Sequence, residues 1–254
     1  MKIVVVGGSG LIGSRLVSKL GDDGHEARDA SPKSGVNSLT GEGLADVLDG
    51  ADVVIDVSNS PSFEADDVMD FFTTSTRNIL AEEAAGGVRH HVALSVVGTD
   101  RLLESGYFRA KMAQETLIQE SSIPYSIVRA TQFFEFIANI AGAATEGNAV
   151  RLAPVLIQPM AADDVASAVG RVAVGPAVNG VIEVAGPDQF RLDEFIRDDL
   201  SARKDLREVI TDPDSRYFGA QLGERTLIPE GSAFIGATRF DDWLSRSVAA
   251  TEER

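Results

Sequence analysis

The chain has 254 residues and a formal net charge of −16, from 23 Lys and Arg against 39 Asp and Glu. With 44% hydrophobic and 24% charged residues, it suits one large α/β domain or two modest ones, and is neither disordered nor fibrous. The acidic balance argues against nucleic acid or an anionic membrane as partner, because phosphates repel such a surface.

With no cysteine and three histidines (His25, His90 and His91), thiol catalysis, disulfides and a Cys/His zinc site drop out, and no metal site is expected. No apolar run nears the ~18 residues of a membrane span. Glycines interrupt the first apolar run too early for a signal peptide. A cytoplasmic globular protein acting on a small molecule is the expectation, with homo-oligomerisation left open.

Residues 2–6 form a β-branched run ending in glycines, which reads as a buried strand. Leu11, Ile12, Leu16, Val17 and Leu20 recur at helical spacing until Gly21 and Gly24. A polar strand at 25–31 follows, then a helix around 41–49 and a buried strand at 51–57. The pattern continues with a helix at 64–85, a strand at 88–97, a helix at 107–120, a strand at 125–129 and a helix at 132–145. Apolar strands alternating with helices predict a parallel sheet covered on both faces. After about residue 147, short strands near 150–157 and 180–185 flank helices near 163–174 and 192–202. A Gly- and Pro-studded stretch at 211–239 precedes a last short helix with Trp243. The division expected is 1–147 as the nucleotide-binding part and 148–254 as a smaller lobe interleaved with it.

Between the first strand and helix lies Gly7-Gly8-Ser9-Gly10-Leu11-Ile12-Gly13. It fits G-x-G-x-x-G through Gly8, Gly10 and Gly13, and G-x-x-G-x-x-G through Gly7, Gly10 and Gly13. Glycines allow the tight turn, admit a pyrophosphate to the backbone and let helix and strand pack closely. The helix N-terminus adds partial positive charge toward the anion. Strand, turn and amphipathic helix in this order predict a Rossmann-like, doubly wound parallel sheet that binds a dinucleotide.

The tip of the second strand decides which dinucleotide. With Ser31 at the tip, hydroxyls (Ser31, Ser34) and Lys33 surround the ribose 2′ position and favour NADP. With Asp29 at the tip, a carboxylate favours NAD. Counting from Gly24 puts Ser31 there, so NADP is expected and NAD is the alternative.

Tyr107 and Lys111 are four apart on one helix face, and Ser95 ends a strand twelve positions before the tyrosine. Tyrosine serves as a proton donor if an ammonium lowers its pKa of about 10, and serine can hydrogen-bond a carbonyl oxygen. His90 and His91 read as caps of a helix-to-strand turn. Asp163 and Asp164 read as a helix N-cap. Phe133, Phe134 and Phe136 are candidates for an apolar substrate wall, with core packing as the plainer reading.

With these segments together, the chain resembles the short-chain dehydrogenase/reductase superfamily, in particular its atypical, extended NmrA-like branch. The carriers are residues 7–13, Leu-Ser-Val-Val-Gly at 94–98 and Tyr-Phe-Arg-Ala-Lys at 107–111. Ile-Pro-Tyr-Ser-Ile-Val-Arg at 123–129 and Asp-Val-Ala at 164–166 complete the set, so that residues 1–200 are covered. The resemblance implies Tyr107 as general acid/base, Ser95 polarising the carbonyl, and Lys111 holding the nicotinamide ribose and depressing the Tyr107 pKa. It also implies cofactor contacts from Ser58 and Asn59 and from Thr131. Thr131-Gln132 stand where the branch usually has Pro-Gly, and Ser58-Asn59-Ser60-Pro61 replaces an Asn-Ala-Gly type of loop. Many members of the branch lack the tyrosine and act as redox sensors, so its presence favours catalysis. The expected function is an NADP-dependent oxidoreductase acting on a carbonyl, alcohol or quinone-like molecule. The alternatives are a non-catalytic NADP sensor and an NAD-dependent epimerase or isomerase.

Overall fold

Ile3, Val4, Val5 and Val6 are all buried, as in a strand with both faces covered. The computed structural model describes residues 1–252, with side chains through Ser247. β1 (Lys2–Val6), α1 (Leu11–Asp22), β2 (Glu26–Ala30), α2 (Leu44–Leu48) and β3 (Val53–Asp56) come first. α3 (Ala65–Gly86), β4 (His90–Val96), α4 (Gly106–Glu120) and β5 (Tyr125–Ala130) follow. The chain continues through α5 (Ile137–Ala143), β6 (Thr145–Glu146), β7 (Ala149–Leu152), β8 (Leu156–Ile157) and α6 (Ala162–Val174). It ends with β9 (Gly180–Ala185), β10 (Phe190–Arg191), α7 (Leu192–Ala202), β11 (Glu208–Thr211), β12 (Phe234–Ile235) and α8 (Phe240–Glu252). None of the described helices is long and apolar enough to cross a membrane.

Seven strands form one sheet in the order β12-β9-β5-β4-β3-β1-β2, with every neighbouring pair parallel. On one face α1 and α6 cover Ile3, Val5, Ile55 and Val92. On the other, Leu44 and Leu48 of α2 and Ile79 of α3 cover Val4, Val6 and Val54. β2 and β3 lie on opposite sides of β1, so the chain reverses its winding there. A crevice opens at the carboxyl ends of strands at such a switch point.

The later part of the chain is shared between layers. β9 and β12 extend the main sheet, whereas β6, β7 and β11 form a small sheet, as do β8 and β10. A second core of Leu152, Phe195, Ile196 and Phe240 gathers under these.

Three expectations are corrected. The helix expected at 132–145 is an extended strap, a 3-10 turn at Phe134–Phe136 and the short α5, because Gln132 and Phe133 are engaged with the segment before α6. Met160 N donates to Gln132 O, and Phe134 N donates to Met160 O, each at 2.9 Å. His90 and His91 begin β4, and His91 Nδ1 meets Glu83 Oε1 at 2.7 Å in full burial, so they cap nothing. Ala161 is the N-cap of α6. Asp163 instead pairs with Arg15 of α1 at 3.2 Å, and Asp164 accepts from Thr238 N at 2.8 Å.

The strap at 131–134 is held through Pro159, against which Gly186 packs closely: a Cβ there would sit 1.8 Å from Pro159 O. Gly186→Ala should therefore destabilise the fold by about 1–3 kcal/mol, as overpacking does. Urea unfolding should show a lower midpoint at unchanged slope.

Candidate active site

The turn after β1 depends on close backbone approach. Gly7 has φ +79°, a conformation glycine adopts without the clash of a Cβ. A Cβ on Gly13 would lie 2.1 Å from Gly7 O, and one on Gly8 would lie 2.5 Å from Asp29 Oδ1. These two glycines set the packing of α1 on β1 and β2 and do not line the cleft. Gly10 is different: its Cβ would meet only Gly7 O, at 3.2 Å, and the residue is exposed toward the cleft. Gly10 is also the N-cap of α1, with no side-chain cap and no acidic residue in the first turn. The first helical N–H groups are left for an anion.

A cleft of about 720 Å³ runs from this turn across the carboxyl ends of β1, β3, β4 and β5, within the range of small-molecule sites. Gly7, Ser9, Gly10, Leu11 and Ile12 line its centre. Lys111 is the one ionisable cation or carboxylate among its described lining residues.

At one end, β2 stops at Ala30 and Ser31 faces the cleft. Asn37 and Ser38 join it there, and Asn78 of α3 pins their loop by donating to Ser38 O at 2.9 Å. Ser31 Oγ donates to Asp29 Oδ2 at 2.8 Å, while Asp29 Oδ1 is buried without a partner behind Gly8. Lys33 and Ser34 are exposed on the 3-10 turn and do not line the cleft. Ser34 Oγ serves instead as a cap, accepting from Ser31 N at 2.9 Å. Ser58 and Asn59 line the cleft after β3, with Ser58 Oγ donating to buried Asp56 at 2.6 Å.

Toward the other end, Tyr107 OH donates to Asn59 Oδ1 at 3.2 Å. Burial pushes the Tyr107 hydroxyl well above its usual range, with no ammonium pulling the other way. The depression of its pKa by Lys111 is thus not what the geometry gives. Lys111 is buried; its Nζ donates to Leu94 O at 2.9 Å and to Gln114 Oε1, 4.4 Å from the centre of the Phe72 ring. Burial lowers it to about 8 against the opposing pull of Asp56 and Glu115. Gln114 Nε2 donates in turn to Asp56 at 2.9 Å.

Ser95 borders the cleft, yet its Oγ donates to Glu115 Oε1 at 2.5 Å. Glu115 also takes two hydrogen bonds from Arg129, at 3.0 and 2.7 Å. The serine proton therefore serves a buried ion pair and is not offered to a carbonyl in this arrangement.

Phe133 lines the cleft beside Thr131. Phe134 does not: it is buried in the second core against Phe240 and Trp243, each 5.3 Å away by ring centroid. The chain turns into the 3-10 segment at Phe134, so Phe133 faces the cleft and its neighbour the core. Phe136 lines the cleft as well, and Phe63, Tyr217 and Phe218, which sequence reading missed, complete an aromatic wall. Phe63 and Phe218 stack at 6.2 Å, joining the loop after β3 to the segment after β11. The one signal was Tyr217-Phe218-Gly219, an aromatic pair inside a glycine-rich stretch.

The glycines predict separable defects. Gly10→Val should fold with near-normal stability and lose dinucleotide binding, since its side chain would fill the cleft above the capless helix end. Gly13→Ala should instead lower the unfolding midpoint, because backbone stands in the way. Calorimetric cofactor titration and thermal unfolding of both variants would separate the two effects.

Comparison with known proteins agrees with this geometry. A family model described as NAD(P)H-binding matches residues 7–172. The photosystem II assembly factor Ycf39 of Trieres chinensis is 24% identical over 149 residues, 53% of this chain and 47% of that protein. The match thus spans about half the length of that relative. The chain superposes over 100% of its length on MoeE5 bound to UDP-glucose and NAD, with TM-score 0.75, 16% identity and 99% of that chain covered. It superposes over 99% on the UDP-glucose 4-epimerase of Thermus thermophilus in complex with NAD, with TM-score 0.73, 18% identity and 99% covered. A short-chain dehydrogenase/reductase superfamily protein from Agrobacterium tumefaciens with bound NAD gives 0.73 at 18% identity, covering 99% of this chain and 97% of that one. These structures establish the fold, a Rossmann-like α/β sheet. The glycine turn, the capless helix and the cleft beside them suit a nicotinamide dinucleotide, and the chain belongs to the NAD(P)H-binding family.

Proposed function

We propose that the protein is an NADP-dependent oxidoreductase acting on the carbonyl or alcohol of a small, flat, largely apolar molecule. The observation that carries this reading is Tyr107: a protonated hydroxyl, oriented by Asn59, in the wall of a cleft whose far half is aromatic.

The backbone N–H groups at the start of α1 would hold the pyrophosphate, and the glycine turn would admit it. The cofactor supplies or accepts the hydride. Tyr107 keeps its proton at neutral pH and, once its hydroxyl turns from Asn59 Oδ1, can give it to an oxygen that gains negative charge. Asn59 holds the hydroxyl rotor, while Phe63, Phe133, Phe136 and Phe218 exclude water and favour a planar apolar substrate. Lys111 sets a positive charge beneath this end of the cleft, where low polarity strengthens its effect on a developing anion. An epimerase acting on a nucleotide sugar is less well supported, because the described lining residues include no arginine for a second diphosphate.

Two observations bear on cofactor choice. Among the described residues no carboxylate lines the ribose end, where Ser31, Asn37 and Ser38 provide donors, and this favours a 2′-phosphate. Asp29 is the counterweight, since a phosphate must take over the Ser31 hydroxyl that now serves it. NADPH should bind more tightly than NADH, Asp29→Asn should widen that gap, and Ser31→Asp should narrow or reverse it. Paired calorimetric titrations check this; equal affinities in the wild type would refute the NADP assignment.

Tyr107→Phe removes only a hydroxyl, so NADPH affinity should persist while turnover falls ~10²–10⁴-fold, the usual range for a lost proton donor. Following 340 nm absorbance with a panel of aromatic aldehydes, ketones and quinones measures this. Near-wild-type turnover in the variant would refute the role of Tyr107. The bonding of Ser95 to Glu115 favours a second reading, a cofactor-binding sensor, which binding without wild-type turnover on the whole panel would support.

A further inference from the structure

After β11 the chain makes a tight two-residue turn. Tyr217 N donates to Ala220 O at 2.8 Å and Ala220 N to Tyr217 O at 3.0 Å, with φ +46° at Phe218 and +90° at Gly219. Turns with positive φ at both central residues favour Asn or Gly at the first of them, where a bulky side chain is strained. Phenylalanine holds that place here, and ring contacts offset the strain. Phe218 stacks on Phe63 at 6.2 Å and meets Tyr217 edge-on at 4.8 Å. Arg216 clamps the turn, donating to Gly219 O at 2.9 Å and pairing with Glu104 ahead of α4 at 2.6 Å. The turn holds two aromatic side chains against the cleft, and strained backbone of this kind gathers at ligand sites.

Tyr217 is 6% exposed and lines the cleft. Its ring lies 6.4 Å from that of Phe108, which lies 5.5 Å from that of Tyr107. After Phe136 the chain brings Tyr217 and Phe218 to the described lining, so the Tyr217 hydroxyl is the one polar side-chain group added there. Burial pushes that hydroxyl well above its usual range, the Gln132 amide pulls it partly back, and Tyr107 opposes its ionisation. An amide that eases the ionisation of a phenol turns its N–H to the phenol oxygen. The phenol's own proton is left without an acceptor among the described residues. An oxygen that gains charge during hydride transfer is best held by more than one donor. Tyr107 is one such donor; Ser95, the second expected from the sequence, is bound to Glu115.

We infer that Tyr217 holds the substrate, donating its hydroxyl proton in a hydrogen bond to the same carbonyl oxygen that Tyr107 serves, in the place Ser95 leaves open. This inference rests on the oxidoreductase reading of the cleft and adds a residue to it.

The test is equilibrium dialysis of two probes against the protein saturated with NADP⁺. One is 2-acetylnaphthalene, a flat ketone that NADP⁺ cannot reduce; the other is 2-isopropenylnaphthalene, in which a CH₂ group replaces the carbonyl oxygen. The wild type should bind the ketone about 10-fold or more tightly than the alkene. Tyr217→Phe should weaken the ketone by about 3–10-fold, the usual range for one neutral hydrogen bond. The same variant should bind the alkene within about twofold of wild type, because its ring packing is kept. Tyr107→Phe should lose discrimination in the same way. If Tyr217→Phe keeps the wild-type discrimination while Tyr107→Phe loses it, the role of Tyr217 is overturned and the oxidoreductase reading stands. Equal weakening of ketone and alkene in Tyr217→Phe would also overturn it, leaving a packing role alone. A wild type that binds neither probe, or both equally, would overturn the carbonyl reading and the inference with it.

Discussion

The contact of Gly13 with Gly7 O is the constraint on which the site depends. Because no side chain intervenes, α1 descends onto the end of β1, and its uncapped N-terminus is brought to the floor of the cleft. The partial positive charge there arises from backbone alone, which matters in a chain of net charge −16. With Lys111 the one ionisable cation or carboxylate among the described lining residues, a phosphate finds its favourable field at the helix end and little elsewhere. The cleft selects its ligand through position and shape more than through charge.

Beneath that floor lie two buried polar networks with different duties. Asp56, Gln114 and Lys111 connect β3 to α4 under the Tyr107 end of the cleft. Ser95, Glu115 and Arg129 connect β4, α4 and β5, and Asp100 holds the outer side of Arg129 at 2.8 Å. Removing one partner of such a buried pair typically costs about 3–5 kcal/mol, because the other charge is left uncompensated. The second network accounts for a serine at the end of β4 without assigning it chemistry. Serine, tyrosine and lysine in the familiar order were visible in the sequence; that the serine hydroxyl points at a glutamate twenty residues later was not.

Legibility in the sequence followed the range of the interaction. The glycine turn, the apolar strands and the amphipathic α1 and α6 rest on local spacing, and each was readable as such. The tip of β2 at Ser31 could be counted from Gly24 because the intervening turn is short. The strap from Gln132 to Phe134 was misread as a helix because the bridge partner of Phe133, Met160, lies 27 residues on, and nothing local announces a β-bridge to it. That error placed Phe134 in the cleft. Tyr217 and Phe218 were missed for the same reason, since the segment that carries them is brought to the cleft by packing against Phe63 and Phe136. Asp29 was seen only as a competitor for the strand tip; its role behind Gly8, bonded to Ser31, needed three dimensions.

The central claim is that this cleft holds one nicotinamide dinucleotide per chain. The most direct measurement is thermal unfolding of the wild-type protein across a series of NADPH concentrations, paired with a calorimetric titration of the same sample. Binding to the folded state alone should give one site per chain and a stability gain that rises logarithmically, reaching about 2.7 kcal/mol at 100 times the measured Kd. An unfolding temperature that does not move with millimolar NADPH or NADH, together with a flat titration, would contradict the account.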